Sequence, residues 1–124
     1  MDQLDIFIGG QWRRGGGNLM HSQFPADGAI NAALHAASLD DLQEAIDSAD
    51  RAWREPTWRA MLPHQRAKIL RKVADLIEAQ LDELTQKQSR DNGKPLAEAR
   101  GLVISAAGTA RYFAAACELL EGEL

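Results

Sequence analysis

A chain of 124 residues and 13.6 kDa, 45% apolar and 26% charged, has the make-up of one ordinary globular domain, which excludes wholesale disorder. Its net charge of −4 repels phosphate backbones and anionic lipid, so neither nucleic acid nor a membrane is expected as a partner. The lone cysteine, Cys117, excludes an internal disulfide framework and a Cys-based zinc site. The acidic start from Met1 to Asp5, with no apolar run behind it, is unlike a secretory signal, and Arg111 and Glu118 interrupt the most apolar stretch, Leu102 to Leu120. A cytoplasmic protein is the expectation.

Residues 1–37 read as strands and turns. Ile6-Phe7-Ile8 is a β-prone run stopped by Gly9-Gly10, and Gln11-Trp12 leads to a second break at Gly15-Gly16-Gly17. Leu19 to Phe24 forms a further strand. Pro25-Ala26-Asp27-Gly28 has turn chemistry, and Ala29 to Ala37 is the return strand.

Residues 38–124 read as helices. Ser38 followed by Asp41 is a capping-box start. Leu42, Ala45, Ile46, Ala49 and Trp53 then fall on one apolar stripe that Pro56 ends. Pro63 suits a first helical turn. Ile69, Leu70, Val73, Leu76, Ile77, Leu81 and Leu84 continue a buried face, with a bend near Gln80. Asn92-Gly93 breaks the pattern and Pro95 opens a long helix with an inner stripe of Val103, Ala107, Ala110, Ala114 and Cys117, closed by Gly122 as a C-terminal cap. The fold class is therefore an α+β fragment, with short N-terminal strands or a hairpin followed by three to four amphipathic helices. A core of alanine buries little area against a backbone ordering cost of roughly 1–2 kcal/mol per residue, so the segment expects something else to pack against.

Tested for chemistry, the residues assemble no active site. Cys117 has Glu118 beside it and no cationic partner, so it reads as a small core residue. His21, His35 and His64 lack metal-ligand spacing. The glycine runs miss the phosphate-loop pattern, because Gly16-Gly17 stands where Lys-Ser/Thr is required and Gly93-Lys94 is followed by Pro95; flexible turns explain them. Arg51, Arg54 and Arg59 with Trp53 and Trp58 lie among acids and read as a helix-end cluster.

Taken in order, six pieces resemble the amino-terminal region of the NAD(P)-dependent aldehyde dehydrogenase superfamily. They are Ile8-Gly9-Gly10-Gln11-Trp12, the Pro25–Gly28 turn, the helix from Ser38 to Trp53, Arg66-Ala67-Lys68-Ile69-Leu70 with Ala74-Asp75, Asp91-Asn92-Gly93-Lys94-Pro95-Leu96 with Glu98-Ala99, and Arg111-Tyr112-Phe113. Phe24 departs from the family's usual asparagine before the turn proline, and Gly15 to Phe24 fits loosely. The resemblance implies that residues 1–124 are a single, incomplete N-terminal segment of an oxidoreductase, without its dinucleotide-binding sheet or catalytic domain. The parent activity it implies is oxidation of an aldehyde to a carboxylate with NAD or NADP, which needs a thiolate to attack the aldehyde and a carboxylate to activate water. No catalytic or cofactor-binding residue carries over, and the segment alone is expected to be inactive. Its implied partner is the remainder of an aldehyde dehydrogenase chain or subunit, with an oligomer open to the full-length protein.

One site residue carries over from the resemblance. Asp91 is similar to an aspartate that, with backbone carbonyls, surrounds a structural monovalent cation, K⁺ or Na⁺, in some members; the matching carbonyls fall around Ser22 and Gln23. Alternatively, Asp91 caps the Asn92-Gly93 turn or the helix at Pro95. A reading from a different class is a free-standing helical interaction or oligomerisation module with no enzymatic activity.

Overall fold

The computed structural model describes residues 2–119. Five strands precede five helices: β1 (Asp2–Leu4), β2 (Ile6–Ile8), β3 (Gln11–Arg13), β4 (Leu19–Gln23), β5 (Ile30–His35), α1 (Leu39–Arg54), α2 (Pro56–Arg59), α3 (Pro63–Ala79), α4 (Leu81–Asn92) and α5 (Leu96–Cys117). They gather into two compact units, one of residues 1–59 with 90–93, the other of residues 60–89 with 94–124. That division cuts across the strand-to-helix boundary at 37/38, because α1 belongs with the strands.

In the first unit β2 and β3 pair antiparallel around Gly9-Gly10, whose φ angles of 60° and 85° are the left-handed values a two-residue hairpin turn needs. Phe7 faces Trp12 across this hairpin with ring centroids 5.0 Å apart. The other sheet has the order β1-β5-β4, with β1 parallel and β4 antiparallel to β5. Strand β1, three residues with two polar ones, escapes the sequence pattern because its order comes from its partner. The turn between β4 and β5 forms as expected: Phe24 N–H donates to Ala29 C=O, Gly28 has φ 75°, and Asp27 Oδ1 accepts from the Ala29 N–H at 2.8 Å. Between Ser22 and Gln23 the ladder shifts register, leaving Asn31 as the extra residue of a β-bulge.

The glycine run at 15–17 corrects the expectation of a flexible turn. Gly15 is buried, and a Cβ there would lie 2.3 Å from the Ala36 carbonyl oxygen; Gly17 N–H donates to the same carbonyl at 2.8 Å. These glycines permit close backbone approach. Helix α1 begins with the expected capping box, Ser38 with Asp41. Its apolar stripe is uncovered, however: Leu42 and Ile46 are each 52% exposed and Trp53 is 68% exposed. Arg59 stacks over Trp53 at 5.8 Å and Arg54 pairs with Asp50, so that cluster is a helix-end arrangement. Pro56 ends α1 and also opens the single turn α2, which the sequence reading did not separate.

The second unit is built on α3 against α5. Arg71 pairs with Glu118 and Arg111 with Asp75 and Glu78, an order that makes α3 and α5 antiparallel, and Arg100 of α5 pairs with Asp82 of α4. Pro63 takes the first turn of α3, where the Leu62 N–H donates to Gln65 Oε1. The expected bend is a break: Gln80 caps α3, and its carbonyl starts α4 by accepting from Leu84 N–H. The aliphatic face expected along α3 and α4 is only half right. Ala67 and Ala74 are fully buried while Leu70, Ile77, Leu81 and Leu84 are half-buried, but Ile69, Val73 and Leu76 are exposed. The aliphatics cover two adjoining faces, and only one meets α5. On α5, Val103, Ala107 and Ala114 are buried as expected, with Ala110 and Cys117 half-buried. The Gly122 cap lies outside the described residues. Among the described residues no large side chain is fully buried.

Candidate functional site

Asp91 sits exposed in the last turn of α4. The β4–β5 hairpin supplies the setting. Ser22 Oγ donates to Asp91 Oδ1 at 3.3 Å. Asn31, displaced by the bulge, donates from Nδ2 to the Arg90 carbonyl at 2.8 Å and accepts the Arg90 Nε–H on Oδ1 at 3.2 Å. Its amide thereby satisfies one of the orphan carbonyls at the end of α4. The Arg90 guanidinium lies 5.5 Å from the Phe24 ring centroid. Gly93, with φ 75°, ends the helix against Pro25, and a Cβ on it would meet the Pro25 Cβ at 3.0 Å. Phe24, where the family's asparagine usually stands, therefore has a use as the face for Arg90.

The structure brings the Asp91 carboxylate to the Ser22 hydroxyl, 69 positions earlier. Helix α4 extends through Asn92, so Asp91 is helical itself, and α5 starts at Leu96 behind Pro95 with no side-chain cap. The proposal that Asp91 caps the α5 helix fails for that reason. What converges there is one carboxylate and one hydroxyl, hydrogen-bonded to each other beside the irregular ladder. Among the described residues no group of three or more His, Cys, Asp or Glu side chains is placed to hold a metal ion.

A second polar cluster escaped sequence reasoning. Asp41, 8% exposed, accepts from Ser38 N–H and Gly16 N–H, each at 2.8 Å, and from Ser38 Oγ at 2.9 Å. Arg13 reaches its other oxygen at 3.0 Å and also Glu44 at 2.6 Å. The bond from the Ser38 backbone, then those from Gly16 and the Ser38 hydroxyl, with Arg13 adding its charge, lower the Asp41 pKa from 3.8 to about 2. The cluster fastens the β2–β3 hairpin to the start of α1. Only its local half, the capping box, leaves a sequence signal; a pairing of residues 13 and 41 leaves none.

Two further candidates have defined surroundings. His35 Nε2 lies 2.6 Å from the Arg14 guanidinium, which can only donate, so the ring proton belongs on Nδ1, 3.0 Å from the Gly17 carbonyl. Cys117 is a free thiol, half-buried on the α5 stripe.

Comparison with known proteins agrees with this architecture. The sequence pattern of the aldehyde dehydrogenase family matches residues 12–124. The (Z)-2-((N-methylformamido)methylene)-5-hydroxybutyrolactone dehydrogenase of Acinetobacter baylyi is 31% identical over 122 residues, which is 98% of this chain and 25% of that protein. The crystal structure of an NAD-dependent aldehyde dehydrogenase from Sinorhizobium meliloti superposes with a TM-score of 0.92 at 30% identity, covering 98% of this chain and 25% of that one. A putative aldehyde dehydrogenase from Burkholderia cenocepacia gives a TM-score of 0.89 at 33% identity, with 99% and 25% covered. The chain belongs to the aldehyde dehydrogenase family, as an N-terminal segment. It spans about a quarter of the length of the relatives it matches. Among the described residues no helix is long and apolar enough to cross a membrane.

Proposed function

We propose that residues 1–124 serve as the opening quarter of an NAD- or NADP-dependent enzyme that oxidises an aldehyde to a carboxylate, and that their part in it is structural. The observation that carries this reading is the match of nearly the whole chain to one quarter of full-length dehydrogenases. The uncovered stripe of α1 supports it, since Leu42, Ile46 and Trp53 are side chains that a completed enzyme would bury. The partner under this reading is the remainder of a dehydrogenase chain. The cluster at the end of α4 serves as a cation-supported joint, with Asp91 and backbone carbonyls around Ser22 and Gln23 as the ligands for K⁺ or Na⁺. Such an ion supplies charge balance for a carboxylate at a helix C-terminus and takes no part in hydride transfer.

The test is an assay of the purified chain with NAD⁺ or NADP⁺ and a panel of aldehydes. The reading expects no nicotinamide reduction. Turnover abolished by Cys117→Ser would overturn it, because that thiol would then be a nucleophile and not a packing residue.

A further inference from the structure

The chain holds three asparagines, Asn18, Asn31 and Asn92, and they stand in different chemical situations. Asn18 precedes Leu19 and Asn31 precedes Ala32, whose side chains hinder attack by the following backbone nitrogen. Asn31 also has its amide engaged by Arg90 on both its nitrogen and its oxygen. Asn92 precedes Gly93, which has no side chain, and both residues are exposed. It is moreover the last residue of α4, and helix ends fray. Gly93 lies in the left-handed region and tolerates the changes of dihedral that cyclisation demands.

We propose that Asn92 is a site of spontaneous, succinimide-mediated deamidation, and that its modification loosens the end of α4 from the β4–β5 hairpin. The deprotonated Gly93 nitrogen attacks Cγ of Asn92. The new N–Cγ bond forms as the Cγ–Nδ2 bond breaks, and the amide leaves as ammonia, taking up the proton released by Gly93. Water then opens the ring at either carbonyl, giving aspartate or isoaspartate at position 92, with no change of oxidation state. Either product places a second carboxylate beside Asp91 in the last turn of α4, at the end of the helix dipole that disfavours it. Isoaspartate also lengthens the main chain by one methylene just before Gly93, which shifts that glycine off Pro25.

The experiment is incubation of the 124-residue chain in mildly alkaline buffer, followed by peptide mapping for the mass gain of exchanging an amide NH2 for OH. The expected result is conversion at Asn92 with Asn18 and Asn31 intact. Asn92→Asp, which installs the product charge directly, is expected to lower the far-UV melting midpoint by a few degrees. Two results would overturn the proposal: an unmodified Asn92 under conditions that convert a synthetic peptide of residues 89–96, or conversion of Asn18 and Asn31 at the same rate. An Asn92→Asp chain that melts with the wild type would overturn the claimed loosening.

Discussion

Asp41 and Gly15 show how single positions set the joint between the first hairpin and α1. Because the Asp41 pKa is lowered on folding, the contribution of its charge is complete above the ordinary value of 3.8. It is lost as pH falls through about 2, so stability rises with pH across that window. Asp41→Asn is expected to remove this slope, as acid unfolding followed by far-UV circular dichroism would show; an unchanged slope would mean other carboxylates set it. At Gly15 an added methyl meets the Ala36 carbonyl at 2.3 Å, a contact with backbone that no side-chain rotation relieves. Gly15→Ala is therefore expected to cost about 1–3 kcal/mol, measured by urea unfolding. For Asp91, added K⁺ or Na⁺ should raise the far-UV melting midpoint of the wild-type chain and leave that of Asp91→Asn in place. Equal responses of the two chains would remove the cation from the account.

Among the elements, α1 is the one most fully written in its own residues. Ser38 and Asp41 supply both halves of a capping box, and Ser38→Ala is expected to cost about 1 kcal/mol, read from the same urea series. Pro63, Pro95 and the pair Gly9-Gly10 are legible for the same reason, since each acts on its own backbone or the next residue. What was not legible depended on neighbours. Strand β1 is ordered by β5, the bulge at Asn31 by the two strands together, and the packing of Gly15 and Gly17 by the chain at Ala36. The exposed Ile69, Val73 and Leu76 illustrate the converse: periodicity marks a face as apolar but does not say whether this stretch of chain contains what covers it.

At the scale of the whole molecule, large apolar side chains are exposed in both units: Leu42, Ile46 and Trp53 on α1, and Leu102, Ile104, Tyr112 and Phe113 on α5. Helix α5 is apolar almost all round, which is the character of a helix enclosed on every side. The isolated chain is accordingly expected to bind an apolar dye strongly and to lose helix over a broad temperature range. A sharp, cooperative transition without dye binding would instead favour a free-standing helical module.

The size of the native product tests the central claim most directly. An antibody against residues 63–100, used on an extract of the source cells, reads it from one blot. The account predicts a band about four times heavier than 13.6 kDa, the size at which the exposed faces of α1 and α5 acquire their cover. A stable band at 13.6 kDa, with nothing heavier, would contradict it: the short chain would then persist by itself, and its partner, not its parent enzyme, would be the thing to find.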